Sequence, residues 1–255
     1  MFFSKSRAMR VAIAALSFSA LSAPLASAGV FDTEPAKGGF YLSGFGGINF
    51  GQDAEFEGVQ DPAAGVPGPA GGPALVNVDF GSARTFGGAV GAQLPFKFLG
   101  VFHPRVEVEG SSFRQNVNSG AFNGGTQTFS GQLSGTAVYL NNYSDIKFSE
   151  NQLIVPYIGG GIGAVFLDSD IRYFPAALSS PNFAVQGADT ALGTHMAGGL
   201  SFRFNDAFDL YSEARYTRIY NADFDRRFLA NDGFSATVED TISTVSVVGG
   251  LRFRF

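Results

Sequence analysis

Charged side chains alternate with apolar ones in several short stretches, and they define the chemistry that the chain could perform. In Arg105–Glu109, an arginine and two glutamates alternate with Val106 and Val108. Two carboxylates spaced two residues apart on one strand face could act as a general acid and a general base. Arginines on the same face would keep both carboxylates ionised, and this removes the proton donor. The pattern therefore favours structural ion pairing over catalysis.

Nucleophilic catalysis finds little support in the sequence. The chain has two histidines and no cysteine. His103 precedes a proline in a predicted turn, while His195 and Ser201 share a strand face roughly 20 Å apart by the rise per residue, too far for proton transfer. The glycine-rich run 159–163 lacks the Lys-Ser or Lys-Thr of a phosphate-binding loop. We predict no catalytic residue, no cofactor and no metal site, and the alternative of a lipid A-modifying enzyme is the least favoured.

The last stretch, Glu239–Phe255, alternates with a period of two, which predicts a β-strand. Its odd positions from Val245 onward are apolar or glycine, whereas Arg252 and Arg254 occupy the other face. An apolar face of this kind must be covered either by a second protein layer or by lipid.

The composition favours lipid over a second protein layer as the cover of this apolar face. Residues 1–28 combine basic residues, an apolar run and a small-residue cleavage site, so we predict a cleaved signal peptide followed by one domain over residues 29–255. The chain has 34 glycines, 28 phenylalanines and only 15% charged residues, yet no segment of the predicted domain is long enough for a membrane helix. A transmembrane β-barrel explains this composition because only every second residue meets lipid. The acidic net charge argues against binding nucleic acid.

Eight alternating segments predict the fold class: an all-β, transmembrane, antiparallel up-and-down β-barrel. Their connections alternate between long and short, which is typical of outer-membrane barrels with both termini at the periplasmic side. We expect long loops at Gly51–Asn77, 114–126, 168–188 and 221–238, and ten strands if 168–188 forms a hairpin. The predicted strands are 40–50, 82–96, 105–113, 127–141, 155–168, 189–204, 208–220 and 239–255.

The charged faces of these strands would meet inside the barrel. An eight-stranded barrel has an interior just wide enough for side chains, so we expect the charges to pair and to plug the lumen. The alternative is a small porin-like channel that passes through the same charges. The predicted interior charge network consists of Arg105, Glu107, Glu109, Arg203, Glu213, Arg215, Arg252 and Arg254.

Aromatic residues are frequent in the predicted loops, and two interpretations remain open. They could form an adhesive tip together with Arg226 and Arg227, or they could lie at the barrel rim as an interfacial girdle. The residues concerned are Phe174, Phe183, Phe224, Phe228 and Phe234.

Five motifs resemble those of eight-stranded outer-membrane barrels, namely the opacity-like surface proteins and the transmembrane domain of OmpA-type proteins. The resemblance covers nearly all of residues 29–255 and identifies architecture better than activity. The motifs are YLSGFGG at 41–47, RVEVEG at 105–110, PYIGGG at 156–161, LYSEARY at 210–216 and the terminal Phe255.

The resemblance implies a non-enzymatic surface protein in the outer membrane of a Gram-negative bacterium. Its barrel would anchor extracellular loops that serve envelope integrity, adhesion or host interaction. Phe253 and Phe255 would form the signal read by the barrel-assembly machinery. The expected partners are outer-membrane lipids and lipopolysaccharide, that machinery, and host or matrix surface molecules.

Overall fold

The computed structural model describes residues 31–32, 39–50, 53–61, 70–149, 151–175, 181–231 and 233–255. The predicted signal peptide, residues 1–28, lies outside the described residues. No helix in these ranges is long and apolar enough to cross a membrane. The strands are β1 (Phe31–Asp32), β2 (Phe40–Phe50), β3 (Asp53–Val59), β4 (Pro73–Phe80), β5 (Ala83–Gln93), β6 (Lys97–Phe98), β7 (Phe102–Phe122), β8 (Gly125–Ile146), β9 (Ile154–Pro175), β10 (Phe183–Arg203), β11 (Phe208–Phe228) and β12 (Gly233–Arg254).

Eight antiparallel strands form a closed barrel. Strands β2, β5 and β7 to β12 pair consecutively along the chain. The last strand then pairs with the first, with Val245 opposite Phe50 and Arg254 opposite Tyr41. The all-β antiparallel prediction is therefore confirmed, and the ten-stranded alternative is wrong, because residues 168–188 lengthen β9 and β10 and form no additional staves.

The two ends of the barrel differ in their connections. Segments 94–101, 147–153 and 204–207 join strands at the end where the chain enters and leaves the barrel. There the Phe255 amide donates to the Phe40 carbonyl at 3.1 Å. We call this the terminal end, and the opposite end, which carries the long hairpins, the hairpin end.

The half of the barrel nearer the terminal end has an apolar outer wall. Large side chains project from every strand there, among them Met196 (70% exposed), Phe86 (65%) and Leu251 (57%). We call this wall the apolar belt. The apolar face predicted for the last strand is the outer face of β12, since Val245, Val247, Leu251, Phe253 and Phe255 all point outward, as do Ile158, Ile162 and Phe166 on β9.

Polarity is reversed in the half nearer the hairpin end. Leu133, Ile171 and Phe224 point into the barrel there and are buried, whereas Asp168 and Thr128 on the outer face are exposed. The alternation of a strand persists, so the predicted loops at 114–126, 168–188 and 221–238 are largely wrong. These segments are strands that extend the barrel. Their apolar side chains point inward and form a core, in place of the charged side chains that face the interior in the other half.

The predicted long loop Gly51–Asn77 is also largely wrong. Strands β3 and β4 form a hairpin in which Asp53 lies opposite Asp79 and Val59 lies opposite Pro73. The other edge of β3 pairs with β12, and the other edge of β4 pairs with β7. Ala54, Phe56, Val76 and Val78 fill the barrel core, each at most 1% exposed. Residues 51–52 and 62–69, which include most of the proline-rich centre, lie outside the described part.

The hairpin between β7 and β8 turns on Asn123 and Gly124. Both residues have positive φ, 47° and 77°, and they join Phe122 to its partner Gly125. Two consecutive positive φ values are characteristic of the type I′ turn, for which Asn-Gly is the preferred sequence. The Asn-Gly pair therefore marks a tight turn within the predicted loop 114–126.

Candidate functional site

We call the interior of the half nearer the terminal end the lower interior, and that of the half nearer the hairpin end the upper interior. Arg215 lies at the centre of the lower interior. Its guanidinium contacts both oxygens of Glu109, with Nη1–Oε1 at 2.6 Å and Nη2–Oε2 at 2.9 Å, and its Nε donates to Glu213 at 2.9 Å. Asn141 donates to the same Glu109 at 3.0 Å. Glu109 is 1% exposed, so the geometry satisfies a cation and two carboxylates that would each be costly to bury alone.

A second cluster surrounds Arg105, closer to the terminal end. Arg105 contacts Glu107 and donates from Nε to Asp145 at 3.1 Å, while the Tyr41 hydroxyl donates to Glu107 at 2.7 Å. The guanidinium also lies 4.2 Å from the ring centroid of Tyr143, within the range of a cation–π contact. Two carboxylates therefore neutralise Arg105.

Asp209 forms the floor of the interior. It contacts Arg254, and Arg252 Nη1 lies 3.6 Å away. Arg203 lies at the same level, partly buried, and within the described ranges no carboxylate is within 4.0 Å of it. The structure thus brings seven of the eight predicted network residues into ion pairs, while Arg203 lies beside the network without one.

The interior network includes residues beyond the eight that the sequence predicts. Asp145 lies beyond the end of the predicted strand 127–141, but β8 continues to Ile146 and places Asp145 inward, opposite His103. The alternation of Asn141, Tyr143 and Asp145 was the available signal. Tyr41, Tyr157 and Tyr211 also face the interior, where their hydroxyls and rings surround the arginines.

Glycines on the inner wall make room for the tyrosine rings. A side chain at Gly159 would collide with Tyr143, one at Gly163 with Tyr139, and one at Gly199 with Tyr157. The glycine-rich stretch 159–163 therefore allows the tyrosine rings to pack against a strand. A phosphate-binding loop would instead be followed by a helix.

The upper interior is mainly apolar. Leu133, Val165 and Ile171 are fully buried together with Phe56 and Val76 from the first hairpin. Stacked rings close this core towards the hairpin end, with Tyr173 4.9 Å from Phe129 and 5.5 Å from Phe183. The interior is filled by ion pairs below and by an apolar core above.

The predicted adhesive tip is wrong for its central residues, and so is the girdle. Phe183 and Phe224 are buried inside the barrel above the belt. Arg226 is 1% exposed between the rings of Phe122 and Phe183, each 4.2 Å from its guanidinium carbon. These side chains therefore stabilise the barrel and are not available to a partner at the surface.

His195 and Ser201 do not form a catalytic pair. Both are buried, and neither the ring nitrogens of His195 nor the Ser201 hydroxyl has a hydrogen-bond partner. The imidazole packs edge-on against Tyr139 at 4.8 Å. In the described chain, no three histidine or carboxylate side chains are grouped to hold a metal ion.

The outer wall above the apolar belt carries an acidic row. Asp223 lies opposite Glu239, which in turn lies opposite Glu57 on β3. Burial and the neighbouring carboxylates of Asp189 and Glu239 raise the pKa of Asp223 above its usual value. Like charges directly opposite each other destabilise a sheet, so the row stores a modest repulsion.

We predict opposite responses for two aspartates of this wall. Replacing Asp223 with asparagine should stabilise the protein at pH 7 by a few tenths to about 1 kcal/mol. The gain should fade as the pH falls through the raised pKa towards 3.8, because protonation then relieves the wild type as well. Urea unfolding at pH 7 and pH 4 measures both values.

Asp170 provides the control. Hydrogen bonds from Gln186 and Arg172 lower the pKa of Asp170. Asp170→Asn should therefore destabilise the protein slightly at pH 7, and this loss should disappear only as the pH falls below the unfolded value of 3.8 and through the lowered pKa of the folded protein. Equal shifts in both variants would contradict the electrostatic assignment.

These features define the class of protein. A closed antiparallel barrel with an apolar belt outside and charged groups inside is an integral membrane β-barrel, since lipid tolerates only structures whose backbone hydrogen bonds are all satisfied.

One solved structure with a TM-score above 0.5 agrees with this class. The outer membrane protein OprG from Pseudomonas aeruginosa matches with a TM-score of 0.51 at 12% identity, covering 86% of this chain and 96% of that one. The outer membrane protease OmpT from Escherichia coli matches with a TM-score of 0.49 at 9% identity over 90% and 99%. Neisserial surface protein A has 0.41 at 16% over 86% and 100%. The chain has the fold of the outer-membrane β-barrels, whereas neither a family model nor a curated sequence matches it.

Proposed function

We propose that the protein is a non-enzymatic outer-membrane surface protein whose barrel holds rigid hairpins outside the cell. The observation that carries this proposal is the length of the strands. Strands β7 to β12 have 21 or 22 residues, whereas about 9–11 residues suffice to cross a membrane. Roughly ten residues of each strand therefore project beyond the apolar belt, on the order of 30 Å along the strand.

The filled interior supports an anchor in preference to a small channel. Ion pairs around Arg215 and Arg105 occupy the lower lumen, and buried residues such as Leu133 and Ile171 occupy the upper lumen. A conducting path would need water along both levels, and most of the side chains that fill the upper level, such as Leu133, Val165 and Ile171, offer it no hydrogen-bond partners.

In this proposal the hairpin end lies outside the cell and the termini lie in the periplasm. The hairpins would present polar outer faces to host or matrix molecules and to lipopolysaccharide. Phe253 and Phe255, which point outward at the end of β12, would serve as the assembly signal.

Cysteine labelling in intact cells tests the proposal, and the absence of native cysteine makes the label specific. Thr128→Cys places an exposed thiol near the hairpin end, and Ser149→Cys is its counterpart at the terminal end. A membrane-impermeant maleimide should label position 128 in intact cells and position 149 only after permeabilisation. Combining Thr128→Cys with Phe255→Ser should reduce the labelled amount, because fewer barrels would assemble. Labelling at 149 alone in intact cells would overturn the orientation.

A further inference from the structure

A groove crosses the outer wall of the barrel at the upper edge of the apolar belt. It is about 780 Å³ in volume and is formed by the neighbouring strands β5, β7, β8 and β9. Phe86 and Phe166 form its sides with Ser112 and Thr136 between them, and Ser134 lies in the neighbouring row between Arg114 and Asp168. The groove exists because small hydroxyl side chains lie between two large rings.

Two arginines border this groove without a protein counterion. Arg84 on β5 lies directly opposite Arg114 on β7, and both side chains are exposed. Neither has an ion pair or a side-chain hydrogen bond with any described residue. Because like charges directly opposite destabilise a sheet, this pair favours an anion between the two guanidinium groups.

The position of the two arginines along the barrel axis indicates the source of that anion. Phe86, two residues from Arg84 towards the terminal end, is 65% exposed on the apolar belt, and Phe166 is 50% exposed on β9. On the other side of the arginines the outer wall becomes polar at Asn116, and Asp168 lies in the same cross-strand row as Arg84, Arg114 and Ser134. The arginines therefore lie at the boundary between hydrocarbon and water, where lipid phosphates are located.

We propose that Arg84 and Arg114 bind the phosphate of an anionic lipid in the leaflet surrounding the hairpin end, an inference that rests on the proposed orientation of that end outside the cell. Guanidinium groups match phosphate oxygens in bidentate geometry, and Ser134 and Thr136 add hydroxyl donors nearby. The lipid tails would run along the belt between Phe86 and Phe166. Asp168, at the far side of the groove, repels a second anion and limits the site to one phosphate.

Native mass spectrometry of the detergent-solubilised protein tests the proposal with phosphorylated lipid A as the probe. Replacing both arginines with glutamine should weaken lipid binding about tenfold or more, since each loses charge-assisted hydrogen bonds. The matched control is Arg172→Gln with Arg218→Gln, which removes the same charge from exposed positions elsewhere on the wall. Heat-modifiable gel migration verifies that each variant is folded.

Two further ligands separate the sources of the anion. Dephosphorylated lipid A should bind the wild type as weakly as phosphorylated lipid A binds the double variant, and inorganic phosphate should not displace the lipid. Equal binding of phosphorylated lipid A to the wild type and the Arg84/Arg114 variant would overturn the proposal. Equal loss in the control variant, or full displacement by inorganic phosphate, would also overturn it.

Discussion

Replacing Arg215 with methionine is expected to lower the free energy of unfolding by about 3–5 kcal/mol, the range found when one partner of a buried ion pair is removed. Glu109 and Glu213 would remain in the interior without their cation, at 1% and 4% exposure. Methionine has a similar length, so lost packing contributes little. Urea titration in detergent micelles, followed by gel migration of unboiled samples, measures the difference.

The control for this variant is Arg172→Met. Arg172 also pairs with a carboxylate, Asp170, at 3.0 Å, but both side chains are nearly half exposed on the outer wall. An exposed pair is worth about 0–1 kcal/mol, so this change should have little effect. Adding Glu109→Gln and Glu213→Gln to Arg215→Met should recover much of the loss, because no unpaired charge then remains. If Arg215→Met and Arg172→Met cost the same, the interior network has no special role in stability.

Truncating Phe56 to alanine is expected to cost about 3–5 kcal/mol, as for other buried phenylalanines. Phe56 is fully buried and packs edge-on against Phe224 at 5.7 Å, so its loss leaves a cavity between the first and last hairpins. The same substitution in a flexible loop would cost almost nothing. Unfolding in urea measures the loss, and limited proteolysis should show faster cleavage near the first hairpin.

Val59→Ala is the matched control on the same strand. Val59 is 65% exposed, so its truncation should change stability by less than about 0.5 kcal/mol. A Phe56→Ala protein as stable as the Val59→Ala protein would mean that the upper core does not hold the hairpins in place.

The faces of β12 within the apolar belt could be predicted from alternation alone. On β12, Val247 and Leu251 point outward while Arg252 points inward, as expected for a strand whose apolar side meets lipid. Composition supported the same conclusion, because many glycines and phenylalanines without a helical span fit a membrane barrel.

The strands of the upper half could not be predicted in the same way, because the apolar positions of the alternating pattern point inward there. Leu133 and Ile171 alternate with polar residues just as Val247 does, but they point inward, where an apolar core replaces the ion pairs. If polar residues are expected to face the barrel interior on every strand, such segments are predicted to be loops. The first hairpin was missed for a related reason: its strands flank a proline-rich centre that dominates the local composition.

The sequence by itself determined the strand periodicity, the closed eight-stranded architecture and the identity of most interior charges, since these depend on local alternation. Only the tertiary structure decided how the charges pair, because Glu109 and Arg215 lie 106 positions apart and meet across the lumen. It also decided that Asp145 joins Arg105, that the upper interior is apolar, and that Arg84 faces Arg114. Such pairings depend on the register between strands, which distant hydrogen bonds set and which no single segment encodes.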